Sequence, residues 1–162
     1  MSNPYLLADD SPDGKDGVVW LNYDGKLSEI IGASKVEAKD NIETTDFKTI
    51  GTRKTQVKVK AVSGKGSMEL DYSAVSVFSD MVHRYKKTGK LPVFSLTVEN
   101  NDMTTGLGKR IVRYTGCVLD GEVVSSLLDA GADDGMKITV NFKYSDSEVL
   151  QDFAAPSNIG RD

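Results

Sequence analysis

The sequence is poor in the residues that usually form catalytic sites, metal sites or disulfide bonds, with one cysteine, one histidine and one tryptophan among 162 residues. With Cys117 alone, an intrachain disulfide cannot form, and a zinc cluster built on several cysteines is excluded. No run approaches the roughly 18 to 20 apolar residues that a membrane-spanning helix needs. The first residues also lack a basic region followed by an apolar stretch, so we expect no secretory signal and no stable membrane association.

The charge balance is acidic, with a formal net charge of -4 and a sequence pI near 5.1. Proteins that hold nucleic acid tightly through its phosphates usually carry a basic face and a high pI. We therefore expect no tight or specific binding of DNA or RNA. Transient passage of DNA along an acidic surface is compatible with this composition.

The first ordered element should be a β-hairpin. Asp24-Gly25 separates two apolar runs, and both residues can reach the positive φ that a two-residue hairpin turn requires. This predicts a first strand over residues 18–23 and a second strand that begins near Lys26.

Alternation then predicts strands on both sides of a long polar stretch. Residues 40–55 have no clear period, so we expect a loop, and a loop of that length in a compact domain is usually functional or disordered. Gly64 and Gly66 are expected to mark a bulge or a sharp bend within one long strand. Charged residues alternate with apolar ones on the two flanking strands: Lys35, Glu37, Lys39, Lys58 and Lys60 against Val36, Ala38, Val57, Val59 and Ala61.

One segment has helical periodicity. Apolar residues recur at helical spacing from Val75 to Tyr85, which predicts an amphipathic helix over residues 73–87. Asp71 or Ser73 can cap its start, and Gly89 suits its C-terminal cap.

Further strands are predicted after the helix, and the clearest is residues 136–144, where apolar and polar residues alternate. Residues 122–135 are ambiguous, with a short strand and then a loop. About six strands and one helix, without strand–helix alternation, predict a mainly β protein: an antiparallel β-sandwich or barrel-like sheet with one packed α-helix. The expected organisation is an N-terminal arm over 1–16, a β domain over 17–146 and a loose polar tail over 147–162.

The string GLGKR, residues 106–110, invites a comparison with phosphate-binding loops. A Walker A loop needs a glycine where Met103 stands and a Ser or Thr where Arg110 stands, and a dinucleotide-binding fingerprint needs a third glycine where Ile111 stands. Both loops also lie between a strand and a helix. Here strands are predicted on both sides, so a hairpin connection is the better interpretation.

Other candidate residues have structural interpretations. His83 is expected at the surface or rim, Cys117 as a buried inert thiol, and Trp20 as a core or interface anchor. The acidic pair Asp133-Asp134 lacks the spacing of a calcium loop. We therefore predict no catalytic residue, metal or cofactor.

The order of several strings resembles the tail tube proteins of contractile phage tails, in particular the XkdM (PBSX core tail protein) family. These strings are GKDGVVWLN, YDGKLSEI, TIGTRKT, SGKGSMELDY, MVHRYKKTGKLPVFSLTVENND and TTGLGKR, and they span most of the chain from Gly14 to Val149. The N-terminal arm and the stretch EVVSSLLDAGADDG depart from the family pattern.

The resemblance implies a homo-hexameric ring, stacked into a hollow tube inside a contractile sheath, with strands that complete a barrel between subunits. Expected partners are further copies of the chain, the tail sheath protein, and tape measure and baseplate proteins, and DNA would pass through transiently. The expected location is a virion tail or phage-tail-like particle, assembled in the bacterial host cytoplasm. Candidates for ring stacking are Asp40, Ile42, Glu43, Asp46, Phe47, Lys48 and Arg53. Candidates for the lumen are Lys35, Glu37, Lys39, Lys58 and Lys60, and candidates for inter-subunit or sheath contacts are Lys109 and Arg110.

Two other functions share parts of this pattern. A type VI secretion tube protein would have the same architecture, and its genomic neighbours would separate it from a phage protein. A small-ligand β-barrel of the lipocalin kind would show eight strands with an apolar interior, whereas about six strands with a polar second face are predicted here.

Overall fold

The computed structural model describes residues 17–30, 33–90, 92–101, 108–131 and 135–153. The predictions for the N-terminal arm, for the first glycine of GLGKR and for the pair Asp133-Asp134 fall outside this part of the chain. The described residues form eight strands and one α-helix: β1 (Gly17–Tyr23), β2 (Lys26–Glu29), β3 (Ala33–Phe47), β4 (Gln56–Asp71), α1 (Val75–Thr88), β5 (Phe94–Asn101), β6 (Lys109–Asp120), β7 (Lys137–Tyr144) and β8 (Asp146–Gln151). The mainly antiparallel β fold with one helix, predicted from alternation, is confirmed.

The chain divides into two compact units. One comprises Met1–Gly32, Val93–Cys117 and Asp146–Asp162, and the other comprises Ala33–Pro92 and Val118–Ser145. Strand β6 contributes residues to both.

The first unit is an antiparallel sheet in the order β2-β1-β5-β6-β8. Its β1–β2 hairpin turns at Asp24 and Gly25, whose φ angles of 55° and 76° are those that a two-residue hairpin turn needs. Register places Leu21 opposite Leu96 at the centre of the sheet. The buried side chains of this unit are Val19, Leu21, Phe94, Leu96, Val112 and Cys117, while Trp20 is only half-buried.

The second unit joins β3, β4 and β7 with the end of β6, again antiparallel throughout. In β7 every second residue is buried, as the alternation predicted. The core of this unit comprises Met68, Leu70, Phe78, Met81, Ile138, Val140, Phe142 and Tyr144. Because one sheet face carries this core, the other face is left for polar side chains.

Asp71 and Gly89 cap the two ends of the helical segment, although Ala74, the residue directly before α1, makes no capping side-chain hydrogen bond. The Asp71 carboxylate accepts a 3.0 Å hydrogen bond from the Ser73 amide at the start of a short 3-10 turn that leads into the helix. At the other end, Gly89 has a φ of 70° and its amide donates to the Tyr85 carbonyl. The prediction of a helix over residues 73–87 is confirmed apart from shifts at its ends.

The predicted loop over residues 40–55 is wrong for most of its length. β3 continues to Phe47 and β4 begins at Gln56, so only residues 48–55 connect the two strands. The strand alternation was obscured because both faces of this segment are exposed, and neither therefore needs a continuous apolar row.

The expected bulge at Gly64 and Gly66 is also wrong, although β4 is indeed one long strand. The bulge lies at Lys60, where the register shifts between Glu43 and Thr44 of the partner strand. The glycines instead make room for aromatic rings, since a Cβ on Gly64 would overlap the ring of Tyr144 and one on Gly66 would overlap that of Phe142.

Two further expectations fail near the end of the chain. The described part of the ambiguous segment, residues 122–131, contains no strand. The beginning of the supposed tail forms β8, which pairs with β6 from Thr115 to Ile111. The strand count therefore rises from about six to eight within the described residues.

Candidate assembly surfaces

The β3–β4 hairpin extends beyond the sheet that supports it. β7 pairs with β4 only from Asp71 to Gly64, so residues 41–63, which we call the hairpin arm, have no third strand within the described part of the chain. Two-stranded ribbons are marginally stable in water on their own. We therefore expect an arm of this length to pack against another surface.

One face of the hairpin arm carries four exposed apolar side chains. Register places Ile42 opposite Val62, and Val59 and Val57 follow on the same face opposite Thr44 and Asp46. These four apolar side chains, which we call the apolar stripe, are between 59% and 68% exposed. Because full burial of such a side chain contributes about 1.5 to 3 kcal/mol, the stripe is a strong candidate for an interface.

The base of the hairpin arm is fixed to the sheet. Tyr144 donates its hydroxyl hydrogen to Oδ1 of Asp40 over 2.8 Å, and its ring lies against Gly64. This bond links β7 to β3 across β4 at the point where the arm begins, so the direction of the arm is set by the core.

The structure brings the predicted ring-stacking residues together on this one hairpin. Most lie on β3, namely Asp40, Ile42, Glu43, Asp46 and Phe47, while Lys48 and Arg53 lie in the connection between the strands. Asp40 differs from the rest because it is bonded at the base. Sequence reasoning did not single out Val57, Val59 and Val62 as candidates for an interface, because the alternation of Val57 and Val59 with lysines indicated an ordinary strand.

The predicted lumen residues lie on β3 and β4, and four of the five share the polar sheet face. Lys35, Glu37 and Lys39 alternate on β3, and Lys58 is on the same side through its pairing with Thr45. Lys60 is the bulge residue and has no direct cross-strand partner.

Glu37 organises the charges around it. Its carboxylate lies 2.7 Å from Lys39 Nζ and 3.5 Å from Lys35 Nζ. The hydrogen bond and charge of Lys39 lower the pKa of Glu37, and Glu37 in turn raises the pKa of Lys39. The pairs are exposed to solvent, so they orient the side chains more than they stabilise the fold.

Lys109 and Arg110 are already paired within the first unit. Lys109 Nζ lies 3.4 Å from Glu99, and Arg110 lies 2.6 Å from Oδ1 of Asp152. The hydrogen bond from Arg110 holds the pKa of Asp152 below its usual value. Lys109 and Arg110, the candidates for inter-subunit or sheath contacts, thus already have acidic partners within the same chain.

A recess of about 210 Å³ lies beside α1. Met81, Val82 and Tyr85 of the helix line it together with residues 118–123. The exposed residues of the last helical turns are mainly basic, among them Lys86 and Lys87. The cations suit the negative end of the helix dipole, which accounts for them without a ligand.

The described residues contain no group of three or more metal-binding side chains. Cys117 is buried, which raises the pKa of its thiol to about 11, and its Sγ donates to the Tyr114 carbonyl. His83 is exposed on α1, as expected. No described helix is long and apolar enough to span a membrane.

Comparison with known proteins gives one family and several solved structures. A family model described as phage tail tube protein matches residues 5–151. A chain of the PVC sheath-tube complex, an extracellular contractile injection system in its extended state, superposes with a TM-score of 0.67 at 10% identity, covering 90% of this chain and 94% of that one. A chain of the anti-feeding prophage baseplate gives 0.61 at 15% identity, with coverage of 93% and 97%. A chain of the anti-feeding prophage cap gives 0.64 at 7% identity, with coverage of 91% and 95%. At such identities the likeness shows the fold. Curated protein sequences give no significant match.

Proposed function

Because the chain belongs to the phage tail tube protein family, we propose that it builds the inner tube of a contractile tail or phage-tail-like particle. Its role there is structural and not catalytic. Within the family, the order of its sequence strings favours the XkdM (PBSX core tail protein) group. Solved structures with this fold include chains of contractile injection systems, which supports the contractile form.

The observation that carries this proposal is the hairpin arm with its exposed apolar stripe. A tube of stacked rings requires a contact that repeats from one ring to the next, and a projecting ribbon with one apolar face can provide it. In this account the arm of one subunit packs on the adjacent ring, burying Ile42, Val57, Val59 and Val62. Lys48 and Arg53, at the tip, then lie close to the neighbouring ring's surface.

Sheet edges supply the second contact, within a ring. β3 pairs with β4 alone in the described residues, and β2 and β8 are edges of the first unit. Exposed edges are templates for pairing with another chain, and closure of a barrel removes them. We propose that edge pairing between six subunits completes a barrel around a channel.

The remaining assignments follow from the family role. The polar sheet face with Lys35, Glu37 and Lys39 is the proposed channel lining, and DNA passes it without specific recognition. Sheath, tape measure and baseplate proteins are the proposed partners. The tail is the place of function, and assembly in the host cytoplasm is proposed with it.

Negative-stain microscopy with light scattering on the purified chain tests this function. We expect rings or tubes with an axial hole, and a scattering mass that rises with protein concentration. A chain that stays monomeric up to millimolar concentration, without rings, would contradict the proposal.

A further inference from the structure

Three lysines stand side by side across the polar sheet face of the second unit. Register pairs Lys39 of β3 with Lys65 of β4, and Lys65 with Lys143 of β7. Neighbouring strands lie about 4.8 Å apart, so directly paired side chains project from adjacent positions on one face. We call these three residues the lysine row.

The sheet itself gives the lysine row little compensation. Like charges that face each other across strands destabilise a sheet. Glu37 contacts Lys39 and Lys35, whereas Glu69 contacts Lys137 and Ser34. In the part of the chain that the structure describes, Lys65 and Lys143 have no ion pair. Because only Lys39 of the row has an ion pair among the described residues, the charges of Lys65 and Lys143 stay uncompensated, which indicates an anionic ligand.

A second feature of the same face is suited to an anion. An open recess of about 220 Å³ is lined by Glu37, Lys39, Lys65, Gly66, Ser67 and Asn141. Ser67 and Asn141 are directly paired with each other and lie one row away from the lysines. Their hydroxyl and amide groups are neutral donors that complement ammonium groups around an anion.

We propose that the lysine row is a binding site for phosphate groups, and that its ligand is the sugar–phosphate backbone of DNA. A protein partner would need apolar contacts at the centre of its interface. The neighbouring rows of this face are polar, with Glu37, Ser67, Asn141 and Asp120 on one side and Asn41 and Ser63 on the other, while Val118 of β6 pairs with Lys143 at the end of the row. A ligand held through charge alone is therefore favoured, and a phosphate backbone is held in that way.

The basic end of α1 is the competing site on this chain. Its lysines are explained by the helix dipole and lie beside an apolar recess, which fits a protein partner better. The lysine row also qualifies the expectation from net charge, because a chain with an overall charge of -4 can still present a local cationic row. The binding belongs to a single subunit and holds whether or not the chain forms tubes.

Anisotropy of a labelled oligothymidylate of about 30 nucleotides, titrated with the full chain, tests the site. Three phosphate contacts predict a slope of log affinity against log salt of about -2 for single-stranded DNA. The variant K39Q/K65Q/K143Q should lose at least about tenfold in affinity near 50 mM salt, and its slope should approach zero. The variant K86Q/K87Q/K90Q removes the same charge from the C-terminal end of α1 and the residue after its Gly89 cap, and it should stay within about twofold of the unaltered chain.

Three results of the binding experiment would overturn the inference. Equal or greater loss in the α1 variant would move the binding site to the helix. Competition by polyglutamate that equals that of oligothymidylate at matched charge would show that the ligand is an acidic polypeptide. Binding of tripolyphosphate without binding of oligothymidylate would show that the site takes free phosphates and not DNA.

A thermal melt provides an independent check of the row. Added salt should stabilise the unaltered chain more than K39Q/K65Q/K143Q, because salt screens the repulsion between the lysines. An equal response of the two proteins would argue against the row.

Discussion

The hydroxyl of Tyr144 donates a 2.8 Å hydrogen bond to Asp40, and the Tyr144 ring covers Gly64 between them. Three strands meet there: β7 carries the tyrosine, β3 the aspartate and β4 the glycine. The hairpin arm leaves the sheet immediately beyond this point. Core packing and the proposed stacking surface are thus joined by one side-chain contact.

Replacing Gly64 with alanine should destabilise the chain by about 1 to 3 kcal/mol, because the new Cβ overlaps the Tyr144 ring and the packed sheet must shift. Urea unfolding followed by circular dichroism measures the loss. Gly131→Ala is the matched control, since its Cβ meets only Asp129 at 3.5 Å, and it should stay within about 0.5 kcal/mol. Equal stability of the two variants would mean that the ring does not occupy the space over Gly64.

Replacing Tyr144 with phenylalanine removes the hydrogen bond to Asp40 but keeps the ring over Gly64. We expect a loss of about 0.5 to 1.5 kcal/mol in the free energy of unfolding. In a double-mutant cycle with Asp40→Ala, the two changes should be less than additive, because each removes the same bond. Full additivity in urea unfolding would show that the two groups do not interact.

The stability of the first unit should decrease at alkaline pH through Cys117. Burial raises the pKa of this thiol to about 11 in the folded chain, whereas the unfolded thiol ionises near its usual value of about 8.5. A folded pKa above the unfolded one means that stability is intact below pH ~8.5 and is lost as the pH rises toward 11.

Cys117→Ala isolates this effect from the titration of lysines and tyrosines. The stability advantage of the unaltered chain over Cys117→Ala should shrink between pH 9 and about 11, as measured by urea unfolding. An advantage that is constant across this range would contradict the buried position of the thiol.

The start of α1 should be sensitive to acid through Asp71. The hydrogen bond from the Ser73 amide lowers the pKa of this carboxyl group. A folded pKa below the unfolded one gives stability that is present above about pH 4 and lost as the pH falls through the lower folded value. Asp71→Ala should therefore lower the urea midpoint at pH 7 and have less effect at pH 2.5, while Asp71→Asn should retain part of the cap at both. A deficit for Asp71→Ala that does not change with pH would show that the ionised carboxylate does not cap this turn.

Sequence patterns predicted the elements whose chemistry is local. The Asp24-Gly25 turn, the Gly89 cap at the end of α1 and the alternation of β7 each depend on a few adjacent residues, and each was confirmed. The family predicted from the resemblance was confirmed as well, at the level of phage tail tube proteins. Local patterns did not predict the ion pairs of Lys109 and Arg110. Their partners, Glu99 and Asp152, lie outside the GLGKR string that contains both basic residues.

The β3 half of the hairpin arm was missed because the alternation rule for recognising a strand in a sequence assumes that one of its faces is buried. Both faces of the arm are exposed in the single chain, so polar residues such as Thr44 and Asp46 alternate with apolar ones on the same face. The lysine row could not be predicted either. Lys39, Lys65 and Lys143 are adjacent only through the register of three strands, and a shift of one residue would turn them to the other face.

The apolar stripe can be tested without changing the backbone. Replacing Val57, Val59 and Val62 together with threonine keeps the β-branched shape and removes three methyl groups from the proposed interface. Tube length in negative stain should fall sharply, while urea unfolding of the subunit should change little because these side chains are already exposed. Thr45→Ser with Lys58→Gln alters the opposite face of the arm and should leave tube length unchanged. Tubes of normal length from the triple variant would show that the stripe is not an interface.

Excision of the hairpin arm tests the central claim most directly. Residues 42–62 are replaced by Asn-Gly, which closes a two-residue turn between the paired residues Asn41 and Ser63. Sedimentation and negative-stain microscopy then compare the excised and unaltered chains at equal concentration. We expect the excised chain to fold with the same circular dichroism melt and to form single rings or free subunits, with no tubes. Tubes of normal length from the excised chain would contradict the proposal that the arm stacks the rings.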